Sequence, residues 1–229
     1  GSSNRRNDAR SADSAAGQTS PERTDFGVVT VVFPFSDTAL ARLSVFAELL
    51  KKWNHTINLV SPASLSDLWL RHIADSAQLW NFRPPKLRRW VDLGSGAGFP
   101  GVVIAILAAD LPSGPDVTLI ESDKRKAVFL TAVSRETGVA FTVLPERIET
   151  ATPQNADVVS ARALAPLSQL CLYADRHLRQ GGTALFLKGK RMEPEVVDAR
   201  MTWNFSIATD PSKTDPSSVI LQLTGLHRA

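Results

Sequence analysis

The stretch WVDLGSGAGFPG, residues 90–101, decides how the rest of the chain is interpreted. A strand-like WVDL is followed by a turn that contains four glycines. Glycines allow positive φ angles and let a ligand approach the bare backbone. Residues 96–101 also match the G-x-G-x-x-G pattern of dinucleotide-binding folds. The turn therefore predicts a ligand site between a strand and a helix, and leaves the ligand open.

An acidic residue beside the turn argues against a phosphate ligand. Asp92 lies two residues before the first glycine, where negative charge opposes the pyrophosphate that a helix N-terminus attracts. The same carboxylate attracts a cation, and S-adenosylmethionine carries a sulfonium and an α-ammonium group. Gly94, Gly96 and Gly98 let the backbone line the methionine end. We predict S-adenosylmethionine as the cofactor, with a nicotinamide cofactor as the alternative.

Two further signals follow in the order expected of a cofactor crevice. Glu121 ends the second predicted strand, where a carboxylate takes both ribose hydroxyls, as it also does in NAD enzymes. Arg147-Ile148-Glu149 follows the third predicted strand, where an adenine would lie. A lone R-x-E is otherwise a charge pair at a helix start. The ordered set, rather than any single motif, predicts a methyltransferase.

Strand and helix signals alternate from Trp90 onward. The predicted strands are 90–93, 117–121, 140–144, 157–161, 183–187, 204–208 and 218–223. The predicted helices are 100–109, 124–137, 166–179 and 193–201. This alternation predicts an α/β fold with a doubly wound, mostly parallel seven-stranded sheet whose last two strands are antiparallel at one edge. Upstream, apolar residues at helical spacing predict two further helices, 37–53 and 64–80.

The chain divides into three regions. Residues 1–25 contain no Leu, Ile, Val or aromatic residue, which predicts a disordered tail. Residues 26–89 are predicted to form a helical lead-in packed on the main domain, residues 90–229. The 229 residues with 43% hydrophobic content suffice for one α/β domain with such an addition.

Composition argues against several classes of protein. The lone Cys171 excludes an internal disulfide and fits a reducing cytoplasm. No apolar run approaches the ~20 residues that a membrane helix needs. The four histidines are scattered and give no metal-ligand spacing with one cysteine. We expect His72 to be a satisfied structural histidine, with a contact to RNA as the alternative role. We expect a cytoplasmic protein without a metal or a membrane partner, and a monomer.

Three basic clusters stand out against a formal net charge of +3, at residues 83–89, 124–126 and 188–191. Taken singly, such clusters are often solvated faces. The second and third follow predicted strands, where the ligand crevices of α/β folds open. These two clusters predict a basic rim that contacts RNA, with Lys124, Arg125, Lys188, Lys190 and Arg191 as its members.

The segment SARALAPL, residues 160–167, follows the fourth predicted strand and is expected to face the reacting methyl group. It has neither the Asp/Asn-Pro-Pro-Tyr/Phe pattern that orients an exocyclic amine nor a cysteine that attacks a pyrimidine ring. Guanine N7 bears a free lone pair and needs no general base. Arg162 is then the predicted catalytic-site residue, holding the base, a phosphate or the cofactor carboxylate. A structural ion pair is the alternative role.

Together these motifs resemble the bacterial small-subunit ribosomal RNA methyltransferase G family, also called glucose-inhibited division protein B. The matching segments are KWNHTINLVS (52–61), RHIADS (71–76), VDLGSGAGFPG (91–101), ESDKRKAVFL (121–130), PERIE (145–149), SARALAPL (160–167) and LKGK (187–190). The resemblance implies a class I methyltransferase that transfers a methyl group from S-adenosylmethionine to N7 of a guanine in a conserved loop of 16S rRNA. It also implies 16S rRNA or the 30S subunit as the partner.

The resemblance further implies roles for individual residues. These are Gly94 and Phe99 at the cofactor, Ile148 and Glu149 beside the adenosine, Arg162 after the fourth strand and Lys188 in a K-G motif. Many relatives carry an arginine before the last strand, whereas residues 215–219 contain none, so we expect no arginine–phosphate contact there. A non-catalytic RNA-binding or assembly factor and a small-molecule or protein methyltransferase are the alternatives.

Overall fold

The computed structural model describes residues 21–190 and 192–229, with the backbone alone for residues 21–26. Seven strands form one sheet in the order β3-β2-β1-β4-β5-β7-β6. They are β1 Arg89–Leu93, β2 Asp116–Ile120, β3 Thr142–Leu144, β4 Ala156–Arg162, β5 Leu178–Gly189, β6 Trp203–Pro211 and β7 Ser218–Arg228. Strands β1 to β5 are parallel, and β7 pairs antiparallel with both β5 and β6. The predicted sheet is confirmed.

The α-helices form most of the lead-in and cover both faces of the sheet. They are α1 Pro21–Val32, α2 Asp37–Asn54, α3 Pro62–Leu65, α4 Asp75–Ala77, α5 Gly101–Ala108, α6 Lys124–Thr137, α7 Leu167–His177 and α8 Glu193–Ala199. Helix α6 has local start and stop signals. The side chain of Asp123 accepts from the backbone N–H groups of Arg125 and Lys126, and Gly138 ends the helix at φ 66°.

The boundary of the predicted disordered tail is wrong. Helix α1 begins at Pro21, so residues 21–25 are helical, while residues 1–20 lie outside the described part of the chain. The apolar run that starts at Phe26 supplies the reason, since Val29 is 1% exposed and anchors this helix in the core. Burial of the following turns fixes a polar first turn that its own composition would not order.

The predicted continuous helix 64–80 is also wrong. This stretch contains α3, a π-helix Leu68–Ala74, α4 and a 3-10 helix Gln78–Phe82. Asp75, directly after the π-helix, accepts hydrogen bonds from Thr214 at 2.7 Å and from Ser212 at 3.1 Å. These tertiary bonds to the turn between β6 and β7 override the regular helix, and hydrophobic spacing does not encode them.

The lead-in shares the core of the main domain. Phe46 on α2 packs against Phe99 of the glycine turn, with 5.2 Å between ring centroids, and against Phe129 on α6 at 6.4 Å. Trp53 also contacts Phe129, at 5.7 Å. Helix α2 therefore packs against the glycine turn through the core. The π-helix lies beside the carboxyl ends of β1 and β4, where His72 contacts Phe99 and Arg162.

Candidate active site

The glycine turn between β1 and α5 has the backbone that only glycine adopts easily. Gly94, Gly96 and Gly98 have φ angles of 63°, 54° and 97°. The N–H of Gly96 donates to Oε2 of Glu121 at 2.7 Å. A Cβ placed on Gly96 would meet nothing closer than the carbonyl oxygen of Gly94 at 3.9 Å. The turn therefore presents bare backbone on an open side, as a ligand-lining turn must.

Asp92 lies beneath the turn rather than in the crevice. It is 1% exposed, and its Oδ1 accepts from the Ser160 hydroxyl at 2.7 Å while its Oδ2 accepts from the N–H of Gly101 at 3.1 Å. Ser160 accepts in turn from Nε1 of Trp90 at 2.9 Å. Burial raises the pKa of Asp92 to about 6. The expected direct attraction of a cofactor cation needs correction, because both carboxylate oxygens face inward.

Gly101 has a packing reason to be glycine. A Cβ at this position would lie 2.6 Å from Oδ2 of Asp92 and 2.8 Å from Cγ of Leu119. Both atoms belong to buried side chains of a close-packed interior. The last glycine of the apparent G-x-G-x-x-G pattern therefore fits α5 against the sheet, and its presence says nothing about a dinucleotide.

The acidic residue after β2 is fixed by backbone donors. Glu121 is 8% exposed, and its Oε1 accepts from the N–H of Asp123 at 2.8 Å, in addition to the bond from Gly96. Ile148 and Glu149 follow β3, the next strand of the sheet. Ile148 is buried and Glu149 is exposed. The structure brings the three residues to neighbouring strand ends, and their predicted cofactor contacts stay predictions.

Arg162 at the end of β4 is held by the π-helix. Its NH2 group lies 2.7 Å from Nδ1 of His72, and its NH1 group donates to the carbonyl of Arg71 at 3.4 Å. The guanidinium carbon stands 5.1 Å from the ring centroid of Phe99. The ring of His72 stacks on Phe99 with 5.0 Å between centroids and 25° between planes. Arg162, His72 and Phe99 thus form one cluster next to the glycine turn.

The protonation of His72 follows from this contact. Burial, Arg162 and Arg71 together lower the pKa of His72 to about 4, so the imidazole is neutral at pH 7. Arg162 is always a donor, so Nδ1 of His72 accepts and the ring proton resides on Nε2. Nε2 is buried and has no hydrogen-bond partner among the described residues. The side chain therefore has no free lone pair with which to take up a proton.

The ammonium group of Lys188 is bound by partners within the protein. Its Nζ donates to the carbonyl of Ala165 at 3.0 Å and pairs with Oε2 of Glu195 at 2.7 Å, and its side chain is only 10% exposed. Glu195 also accepts from the N–H of Leu167 at 2.8 Å. The predicted RNA contact of Lys188 needs correction, because the ammonium group is used to join α8 to the loop after β4.

That loop covers part of the glycine turn. Ala163 has a φ of 44°, which is strained for a residue with a Cβ. Leu164 follows it, and its Cδ1 lies 2.5 Å from the position that a Cβ on Gly94 would take. Lys188 anchors the next residue, Ala165. The loop after β4 and the glycine turn are therefore in contact, as expected if both line one crevice.

The predicted basic rim is reduced to its exposed members. Arg125 is exposed but pairs with Asp123, with 3.0 Å between NH2 and Oδ2. Lys190 is exposed and extends from the end of β5. Lys124, beside Arg125, is also exposed. Arg191 lies outside the described residues. Three basic side chains thus remain available for an anionic partner near the strand ends.

Three contributors to the site do not follow from the sequence alone. The sequence favours a structural role for His72, and it does not single out Ser160 or Glu195. The motif RHIADS carries no clear signal for His72, since neighbouring residues of a helix point in different directions and Arg71 is exposed. Glu195 carries none, because its partners Lys188 and Leu167 lie on other elements.

Comparison with known proteins assigns the chain to a protein family. A family model described as rRNA small subunit methyltransferase G, GidB, matches residues 39–215. The chain belongs to this family. A ribosomal RNA small subunit methyltransferase G of Ruegeria pomeroyi is 51% identical over 82% of this chain and 91% of its own length. One of Paramagnetospirillum magneticum is 48% identical over 84% and 92%.

Solved structures support the fold of this methyltransferase G family member. A ribosomal protein L11 methylase from Lactobacillus delbrueckii matches with a TM-score of 0.53 at 15% identity, covering 66% of this chain and 76% of that one. The predicted class I fold, family, enzyme class and S-adenosylmethionine cofactor are confirmed. No helix among the described residues is long and apolar enough to cross a membrane.

Proposed function

We propose that this methyltransferase transfers a methyl group from S-adenosylmethionine to N7 of a guanine in a conserved loop of 16S rRNA, without a general base. The observation that supports guanine N7 as the methyl acceptor is the hydrogen bonding and protonation of His72. Its Nδ1 lone pair is taken by Arg162 and its Nε2 carries a proton. A base at this site would need a free lone pair, and His72 offers none.

Asp92 and Cys171 are no better placed to accept a proton. Both oxygens of Asp92 are hydrogen-bonded in the interior. Cys171 is buried on α7, and burial raises the pKa of its thiol to about 12, so it is no thiolate nucleophile. Guanine N7 already has a lone pair. Proximity and alignment then supply the acceleration, which reaches ~7–11 kcal/mol in favourable cases.

The residues present fit the cofactor. The carboxylate of Glu121 uses two of its acceptor sites for Gly96 and Asp123, and a carboxylate has about four, which leaves sites for two ribose hydroxyls. The open side of Gly96 accommodates the amino-acid end. Ile148 and Glu149 are the proposed neighbours of the adenine, and Gly94, Gly98 and Phe99 shape the turn. When bound, the cofactor supplies the electrophilic methyl group on its sulfonium.

The proposed partner is 16S rRNA, free or within the 30S subunit, and the proposed active form is a monomer in the cytoplasm. Exposed Lys124, Arg125 and Lys190 are the proposed phosphate contacts. No three His, Cys, Asp or Glu side chains of the described residues group as metal ligands, and we propose that the reaction needs no metal.

The test is single-turnover transfer of tritiated methyl groups to 30S subunits and naked 16S rRNA from a strain that lacks the enzyme. We expect one methylated guanine, mapped by borohydride and aniline cleavage at N7, and a rate that is nearly flat between pH 6 and pH 8. A rate that rises tenfold per pH unit would indicate an acceptor that must lose a proton. No transfer to either substrate would contradict the proposed target.

A further inference from the structure

We propose that His72 is a positioning residue for methyl transfer, which fixes the orientation of Arg162 by accepting a hydrogen bond at Nδ1. The proposal rests on the place of Arg162 in the proposed site. Nothing in the family motif assigns this role, and the sequence alone favours a structural histidine. Its basis is the geometry of one cluster, made of the end of β4, the glycine turn and the π-helix of the lead-in.

The guanidinium of Arg162 is constrained on three sides. Nδ1 of His72 lies 2.7 Å from NH2, the carbonyl of Arg71 accepts from NH1 at 3.4 Å, and the ring of Phe99 lies under the guanidinium carbon at 5.1 Å. The contact with His72 is much the shorter of the two hydrogen bonds. The remaining donors of the planar group are left for a ligand.

Two consecutive residues of the π-helix supply both acceptors. Arg71 offers its backbone carbonyl and His72 its side chain, and each stands about ninety positions from Arg162 in the chain. The wider turn of a π-helix often marks a functional site. The lead-in therefore completes the site of the main domain, in addition to covering its core.

A neutral imidazole suits this role. The charged groups that face His72 are Arg71 on its own helix and Arg162 from β4, both cationic. Asp75, at the end of the π-helix, and Asp92, on β1, face Arg162 with the opposite sign of charge. An imidazolium beside Arg162 would place two cations in contact. Neutral His72 instead offers the guanidinium a lone pair.

Packing alone does not explain His72. The stack on Phe99 would be made as well by an apolar side chain, without burying an Nε2–H that lacks a partner among the described residues. Leaving such a buried donor unpaired is destabilising. The imidazole therefore differs from an apolar side chain in one useful contact, the hydrogen bond that its Nδ1 accepts from Arg162.

If His72 acts through Arg162, the effects of substitutions at the two positions on the transfer rate should not multiply. We expect His72→Leu, which keeps apolar contact with Phe99 but has no acceptor, to lower single-turnover transfer at least about tenfold, since small misplacements of site groups have large effects. In the Arg162→Ala background, the same change should have almost no further effect on the rate. Cofactor affinity should change as it does in Arg162→Ala.

A conservative substitution separates the acceptor from the ring. His72→Asn places an amide oxygen near the position of Nδ1, so we expect it to retain the rate to within about threefold of the wild type. His227→Ala is the matched control, because His227 is an exposed histidine on β7 at the opposite end of the sheet. Independent, multiplying losses in the double variant, or wild-type rates in His72→Leu, would overturn the proposal.

A measurement on the unsubstituted protein guards against folding defects in the variants. Nitrogen-15 NMR of histidine-labelled protein should show His72 as the Nε2–H tautomer with an accepting Nδ1 at pH 7. The Nδ1–H tautomer would overturn the proposal even if methyl transfer proceeds normally. Because this readout needs no substrate, it stands or falls separately from the assignment of guanine N7.

Discussion

The backbone N–H of Gly96 donates a 2.7 Å hydrogen bond to the side chain of Glu121, although 25 positions separate the two residues in the chain. This bond joins the glycine turn after β1 to the acidic residue after β2. Because Glu121 also accepts from the N–H of Asp123, its carboxylate is oriented before any ligand arrives. The two halves of the proposed cofactor crevice are therefore mutually aligned.

Glu121→Ala should weaken binding of S-adenosylmethionine, measured by calorimetry. The change removes the proposed ribose contacts and the bond that orients Gly96. Losing charge-assisted hydrogen bonds should cost about 1.5–3 kcal/mol, or roughly ten- to 150-fold in affinity. Glu136→Gln is the control, because Glu136 is exposed at the far end of α6 and pairs with Arg135. Unchanged affinity in folded Glu121→Ala would remove Glu121 from the site.

Asp92→Asn should change how stability depends on pH. The pKa of Asp92 is raised to about 6 in the folded protein from an ordinary 3.8, so the folded state retains a proton that the unfolded state releases. Wild-type stability should therefore fall, relative to Asp92→Asn, as pH rises from about 4 to about 6. The full difference amounts to about 3 kcal/mol.

Urea unfolding of both proteins at pH 4, 5 and 7 measures this difference. Groups such as His72 also titrate in the window, but they are common to both proteins and cancel in the comparison. A difference that does not change with pH would mean that Asp92 is ionised throughout, with its hydrogen bonds from Ser160 and Gly101 outweighing its burial.

The salt dependence of 30S binding should separate Lys190 from Lys188. Lys190 is exposed, so Lys190→Ala should reduce the slope of log affinity against log salt by about 0.7–0.9, the contribution of one phosphate contact. Lys188→Met should leave the slope unchanged, because its ammonium is paired with Glu195. It should instead slow transfer by loosening the loop after β4.

Lys86→Ala provides the control for that experiment. Lys86 is exposed in the basic segment before β1, at the end of the sheet opposite the proposed site, so its removal should leave the slope as it is. If Lys188→Met lowers the slope as much as Lys190→Ala does, the lysine reaches RNA after all. The interior role of Lys188 would then be wrong.

Gly101→Ala should destabilise the fold by about 1–3 kcal/mol or more, the cost of overpacking a rigid core. Its Cβ would stand 2.6 Å from Oδ2 of Asp92. Gly27→Ala is the matched control, since Gly27 is helical and exposed, and a Cβ added there would have nothing within 4 Å. That change should stabilise α1 by about 0.5–1 kcal/mol. Thermal unfolding that ranks the two variants in the opposite order would contradict the packing role of Gly101.

Local signals in the sequence predict most of the fold. Helix α6 has its predicted bounds of 124–137, because a capping aspartate and a terminal glycine mark its two ends. Residue type and spacing locate the glycine turn and Glu121. The inward orientation of Asp92, the Lys188–Glu195 pair and the π-helix are not predicted. Each depends on a partner from a distant part of the chain, such as Ser160, Ala165 or Thr214, and periodicity contains no information about such partners.

The position of β7 has a consequence for synthesis on the ribosome. This strand is the last of the seven in chain order, yet it lies inside the sheet, between β5 and β6. Until it emerges from the exit tunnel, β5 has an unpaired edge and β6 has no strand to pair with. The turn that precedes β7 also holds Asp75, next to the π-helix. A nascent chain therefore cannot complete the sheet, or the hydrogen bonds that hold Asp75 next to the π-helix, until residues 218–228 have left the exit tunnel.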